Sequence, residues 1–150
     1  ALTVPAKGGM SRVFAERLDG RRVSRMAAVL EKHVGLRFSD QDVYVNVAGG
    51  MRIDEVAVDL PLAIALYAAR SGLSVPRGLS VVGEVTLAGE VRPVAHLPRR
   101  IRTSRELGFE KIVGPVKARE SGGRQSGSWT QVRNLSEAVR AVFGAPRNSV

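Results

Sequence analysis

The stretch Gly49-Gly50-Met51-Arg52-Ile53-Asp54-Glu55-Val56-Ala57-Val58-Asp59-Leu60-Pro61-Leu62-Ala63-Ile64-Ala65-Leu66-Tyr67-Ala68-Ala69 decides the fold. A glycine pair and an acidic turn lead into Leu60 to Ala69, which is apolar on every face and so predicts a helix covered from all sides. Pro61 limits where that helix starts. Deep in a helix a proline costs about 3 kcal/mol, but in the first turn its missing N–H is no loss. The start is therefore expected between Val56 and Leu60, with Asp59 a candidate cap. The end is expected near Ser71-Gly72, where Gly72 can close the C-terminus. Downstream, Gly83-Glu84-Val85-Thr86-Leu87-Ala88-Gly89-Glu90-Val91-Arg92-Pro93 reads as a strand that turns back at Gly89, with Val85-Thr86-Leu87 pairing Val91.

Working outward, Val43 to Val47 alternates as a strand, and Val23 to Val34 reads as an amphipathic helix with Val23, Met26, Ala27, Leu30 and Val34 at helical spacing. Ser11 to Leu18 has a strand-like mix, and Asp19-Gly20 offers a turn after it. Leu79 to Val82 is predicted as a buried strand, Leu97 to Leu107 as a helix and Lys111 to Val113 as a strand. Residues 116–128 hold Gly122, Gly123, Gly127 and three serines, a mobile-loop composition. Trp129 to Val132 is a candidate last strand, and Leu135 to Phe143 a closing helix capped by Asn134. Strands and helices alternate unevenly, which fits α/β or α+β with a mixed sheet and packed helices. The division expected is an N-terminal strand segment over 1–18, one domain over 19–144 and a tail over 145–150.

Composition narrows the class. One hundred and fifty residues, 44% hydrophobic and 25% charged, suffice for one soluble domain with a core. Cysteine is absent, which excludes a disulfide framework or thiolate metal site in this sequence. No apolar run is long enough to span a bilayer, and no signal peptide is visible, so a cytoplasmic protein without membrane contact is the expectation. Net charge is +9, and 19 of the 23 cations are arginine, the residue suited to bidentate phosphate contact.

The motifs carry a resemblance. Gly49 to Asp59 and Gly83 to Pro93 resemble the proteolytic domain of Lon peptidases, where a Gly-Pro-Ser-Ala-Gly turn supplies a serine and a lysine follows a Gly-Glu-hydrophobic-Thr-Leu-x-Gly-x-Val-x-Pro strand. The run Asp40-Gln41-Asp42-Val43-Tyr44-Val45-Asn46-Val47-Ala48-Gly49-Gly50, with Ala28 to Lys32, Gly83 to Pro93 and Leu107-Gly108-Phe109, is closer still to the Lon-like domain at the C-terminus of bacterial RadA (Sms) proteins. The similarity covers about Asp19 to Gly144. It implies the Lon proteolytic-domain fold (ribosomal protein S5 domain 2-like) and a part in a DNA-repair and recombination ATPase. By the same resemblance the domain would assemble its parent into a ring, a homo-oligomer of six, and help hold DNA during branch migration. A zinc-binding segment and a RecA-like ATPase precede this domain in such proteins. ATP, magnesium and zinc are therefore expected there, and no cofactor is expected in these residues.

On the Lon-like motif the serine position falls on Ala57 and the lysine position on Arg100. Alanine has no nucleophile, and arginine stays protonated near neutrality, so the expectation is a peptidase-like domain without catalytic residues. The alternatives kept open are a peptidase using a displaced hydroxyl (Ser71, Ser74, Ser80 or Ser104) and an assembly scaffold without DNA contact. Asp54 and Glu55 could act as an acid–base pair, but adjacent acids ahead of a helix more often cap it. His33 is expected on a helix surface; with His96 it makes up all the histidine of the sequence, too little for a metal site. The basic run is the better signal. Arg92, Arg99, Arg100, Arg102 and Arg105 lie between Glu90 and Glu106 with no acid among them. Arg99, Arg102 and Arg105 recur close to one helix face. The expected DNA contacts are Arg99, Arg100, Arg102 and Arg105, with Lys117 and Arg119 (and Arg124 beyond) in the loop that follows.

Overall fold

The computed structural model describes residues 1–116 and 129–144. The expected loop beyond residue 116, with Lys117, Arg119 and Arg124, and the tail over 145–150 lie outside the described residues. In chain order the elements are β1 (Leu2–Pro5), β2 (Val13–Glu16), α1 (Gly20–Val34), β3 (Gln41–Asn46), a 3-10 turn (Val56–Val58), α2 (Asp59–Ser71), β4 (Leu79–Val81), β5 (Glu84–Val85), β6 (Val91–Arg92), α3 (Leu97–Glu106), β7 (Lys111–Pro115), β8 (Trp129–Val132) and α4 (Leu135–Phe143). The fold is α+β.

Parallel and antiparallel pairings are both present, as expected, but three small sheets share them. β3 lies between β1, which it pairs antiparallel with Leu2 opposite Tyr44, and β2, which it pairs parallel with Phe14 opposite Tyr44. β4, β7 and β8 form a second sheet, all parallel, with β7 in the middle. β5 and β6 make a two-stranded hairpin with Val85 opposite Val91. The ladder is shorter than the sequence suggested: Thr86 already belongs to the turn, its N–H donating to Glu90 O at 3.0 Å and its carbonyl accepting from Gly89 N at 2.9 Å. β1 lies within the N-terminal strand segment expected over 1–18, although no strand was delimited at Leu2–Pro5. β4, expected as a buried strand, is a half-buried edge.

α1 begins three residues earlier than its apolar stripe, because Asp19 caps it by accepting from the Arg21 N–H at 2.9 Å. Gly35 closes it in the left-handed conformation, φ 77°. Val23, Met26, Ala27 and Leu30 are buried as the spacing required. α2 packs against α1, β1, β5 and α4, and its Leu60, Ile64 and Leu66 lose essentially all contact with solvent. Gly72 ends it at φ 65°, donating to Ala68 O. α4 is capped by Asn134, whose side chain accepts from Glu137 N at 2.9 Å.

His33 is not an open surface residue. It sits in the last turn of α1, and its Nε2 lies 2.9 Å from Leu87 O in the β5–β6 turn. Gly89, at φ 76°, lets that turn approach; a Cβ there would come within 2.8 Å of the imidazole.

Candidate nucleic-acid interface

α3 presents two faces. Inward, Leu97 and Ile101 are buried with Ala57, Val82 and Ile112 in a satellite core that half-buried Trp129 packs against. Outward, Arg99, Arg102 and Arg105 are exposed. Arg99 and Arg102 meet no carboxylate among the described residues. Pro98 fits the first turn, and the helix enters from His96, a non-glycine residue with φ 57°.

Arg100 points elsewhere. Its Nη1 and Nη2 donate to the two Glu55 oxygens at 3.1 and 2.5 Å, and its Nε donates to Ala95 O at 2.9 Å. Hydrogen bonding to Arg100, with the charge of the guanidinium behind it, holds the Glu55 carboxyl below its ordinary range, partly opposed by desolvation. Glu55 in turn raises Arg100. The expected DNA contacts thus divide: Arg99, Arg102 and Arg105 lie on the exposed face of α3, where Arg99 and Arg102 meet no carboxylate among the described residues, Arg100 is engaged by Glu55, and Lys117 and Arg119 fall outside the described residues.

Ala57 and Arg100, far apart in sequence, do come together. Both line a cleft of about 220 Å³ with Glu55, Ser80 and Ser104. Ala57 is buried in the 3-10 turn, and its carbonyl accepts from Gly83 N at 3.2 Å. The Ser80 and Ser104 hydroxyls lie 2.9 Å apart and hydrogen bond each other. Neither acid ahead of α2 caps it, contrary to the sequence expectation. Asp54 pairs with Arg52, and Glu55 with Arg100. Among the described residues no group of three or more metal-ligating side chains assembles.

Asp59 also differs from its expected role as a cap. It is the first residue of α2, 1% exposed, and its Oδ1 takes Arg22 Nη1 at 2.6 Å and Arg25 Nη2 at 3.3 Å. Its Oδ2 accepts the Val85 N–H at 3.3 Å. A second basic group, which the sequence analysis did not single out, therefore lies on α1: Arg21, Arg22 and Arg25. The Arg21-Arg22 pair followed by Arg25 was the available signal. Arg21 holds Asp19 through a guanidinium hydrogen bond that lowers the Asp19 pKa.

A family model described as subunit ChlI of Mg-chelatase matches residues 20–118, and the chain belongs to that family. Its similarity to RadA proteins is the one that the motifs implied. DNA repair protein RadA of Treponema pallidum (strain Nichols) is 57% identical over 116 residues, 77% of this chain and 26% of that protein. The RadA of Brucella abortus (strain 2308) is 41% identical over 115 residues, 77% of this chain and 25% of its own length. The RadA of Bacillus subtilis (strain 168) is 36% identical over 145 residues, 96% of this chain and 32% of that protein. The chain thus spans about a quarter to a third of the curated relatives it matches. Among the described residues no helix is long and apolar enough to cross a membrane.

Proposed function

We propose that this chain is the non-catalytic Lon-like domain of a RadA-type DNA recombination and branch-migration ATPase, serving ring assembly and contact with DNA. The observation that carries the DNA contact is the outer face of α3, where Arg99 and Arg102 are exposed and meet no carboxylate among the described residues. A guanidinium without an internal partner keeps its fork of donors for phosphate oxygens. The non-catalytic reading is supported by alanine at position 57 and by the Glu55–Arg100 pair that lines the same cleft. The two nearest hydroxyls are engaged with each other. Assembly into a hexameric ring, a cytoplasmic location, and ATP, magnesium and zinc bound elsewhere in the parent protein complete the proposal, on the strength of the RadA resemblance.

The test is fluorescence anisotropy of a labelled duplex titrated with the chain at several salt concentrations. Phosphate contacts release counterions, so log affinity should fall with log salt by roughly 0.9 per contact. Replacing Arg99, Arg102 and Arg105 together by alanine should flatten that slope and weaken binding equally for unrelated sequences, since phosphate contacts carry no sequence information. An unchanged affinity and slope would sink the DNA role of α3. Loss of an oligomer by light scattering, with DNA binding intact, would assign these arginines to assembly instead.

A further inference from the structure

The sheet of β1, β3 and β2 buries one face and opens the other. Val13, Ala15, Val43 and Val45 pack into the core on the side that α1 and α2 cover. On the outer face the register sets Leu2 opposite Tyr44, and Phe14 opposite the same Tyr44. Directly opposed residues point to one side of a sheet, so the three side chains form a row across all three strands. They are 57%, 39% and 43% exposed in that order. The Phe14 and Tyr44 rings stack with centroids 4.6 Å apart and planes 10° apart. The row lines an open hollow of about 770 Å³. Single apolar side chains on a surface are ordinary, but a contiguous row rimmed by polar residues marks a docking surface.

The rim says what fits. Two residues along β2 in either direction, strand alternation returns to the same face. On one side Glu16 is exposed, and its carboxylate meets no cation among the described residues. On the other, Arg12 lies against the Phe14 ring, its guanidinium carbon 5.7 Å from the centroid. Arg12 donates to Asp42 through Nε at 3.4 Å and Nη2 at 2.8 Å, while its Nη1 makes no hydrogen bond among the described residues. One edge of the face thus carries a cation, an aromatic ring and an anion in even spacing. Such a face is complementary to itself. Half a turn about an axis along the row, midway between two stacked sheets, sets Leu2, Tyr44 and Phe14 each over its own counterpart. The same rotation brings each Arg12 over the other copy's Glu16.

We infer that the outer face of this sheet docks a second copy of this chain, sheet on sheet, about a two-fold axis along the Leu2–Tyr44–Phe14 row. The contact uses the same patch on both chains, so it joins copies in twos. It cannot by itself generate a ring, whose contacts run head to tail. The pairing is therefore separate from the ring assembly proposed above, and it can join two free chains or two rings. With strands about 4.8 Å apart, and β1 and β2 each four residues long, the face falls well below the about 800 Å² per partner of a standard interface. Free chains should therefore pair weakly, in a concentration-dependent way.

The sequence has no cysteine, so a single introduced one reports its own position. Leu2→Cys falls on the axis, where each copy faces itself, and leaves both rings in place. A short bis-maleimide that spans the about 10 Å between packed sheets should link two chains of this variant, increasingly so at higher protein concentration. Leu87→Cys, 72% exposed in the β5–β6 turn, should link several-fold less. Adding Glu16→Arg sets cation against cation and should cut the Leu2→Cys yield several-fold. The thermal midpoint should not move, because the Glu16 carboxylate holds nothing among the described residues. Adding Phe14→Thr and Tyr44→Thr instead keeps strand-forming residues, removes the rings and should abolish the link; should that variant unfold, Glu16→Arg decides. Equal yields at positions 2 and 87 would signal random collision and overturn the pairing. So would a Leu2→Cys yield that Glu16→Arg leaves unchanged. Light scattering on the parent chain separates pairing from ring assembly. A hexamer without a link at position 2 overturns the pairing and leaves the ring standing, whereas linked pairs with no larger particle keep the pairing and sink the ring.

Discussion

Ala57 carries no atom beyond Cβ, and Arg100, beside it in the same cleft, stays protonated at any pH where the fold persists. A serine introduced at 57 would therefore meet a guanidinium already engaged by Glu55 rather than a base. Ala57→Ser is expected to leave labelled casein intact, as is the parent chain. Peptide release that persists through gel filtration and in the presence of chelators would refute this. Both positions were legible in the sequence because a motif fixes them. What engages Arg100 was not, because Glu55 lies 45 residues away and only the folded chain brings the two together. The same distance problem hid Asp59. Local rules read an aspartate at a helix start as a cap, whereas its partner Arg22 is 37 residues upstream.

That carboxylate joins three elements. Asp59 starts α2, holds Arg22 and Arg25 of α1 and accepts the Val85 N–H of the β5–β6 hairpin. Removing it leaves Arg22, 15% exposed at its side chain, without its carboxylate. Breaking a buried pair from one side costs about 3–5 kcal/mol. Asp59→Ala should lower the urea midpoint accordingly, and Asp59→Ala with Arg22→Ala should lose less than the two single changes added together. Exact additivity in that cycle would show that the pair does not couple α1 to α2. At this scale the sequence was most informative where a backbone device marks a boundary. Pro61 and Gly72 bracketed α2, and Asn134 placed α4. It did not delimit β1 within the N-terminal strand segment, because four residues ending in proline show no alternation, and it set α1 late because the apolar stripe starts a turn after the cap.

Charge acts on the molecule as a whole. Hydrogen bonds from arginine lower the pKa of Asp19, Asp42 and Glu55, from Arg21, Arg12 and Arg100 respectively. A carboxylate with a depressed folded pKa stabilises the fold above its unfolded pKa, about 4, and that contribution disappears as pH falls through the folded value. Protonation also removes the anions that temper a net charge of +9. The thermal midpoint should be level from neutrality to about pH 5 and fall below about pH 4. Arg12→Ala removes the cation that donates to Asp42 at 2.8 Å. The gap between its midpoint and the parent's should narrow as acid protonates Asp42. A gap of constant width across the acid range would show that this pair does not contribute to acid stability.

The central place of β3 has a consequence in time. β1 and β2 leave the ribosome before β3, yet neither touches the other in the sheet; each pairs with β3, where Leu2 finds Tyr44 and Val13 finds Val43. Synthesis order and assembly order therefore disagree. Until Gln41 to Asn46 emerges, both N-terminal strands wait as unpaired edges, the state in which strands most readily join a neighbouring chain. In that interval α1, already emerged and capped at both ends, is the piece of this half that can form from local contacts alone.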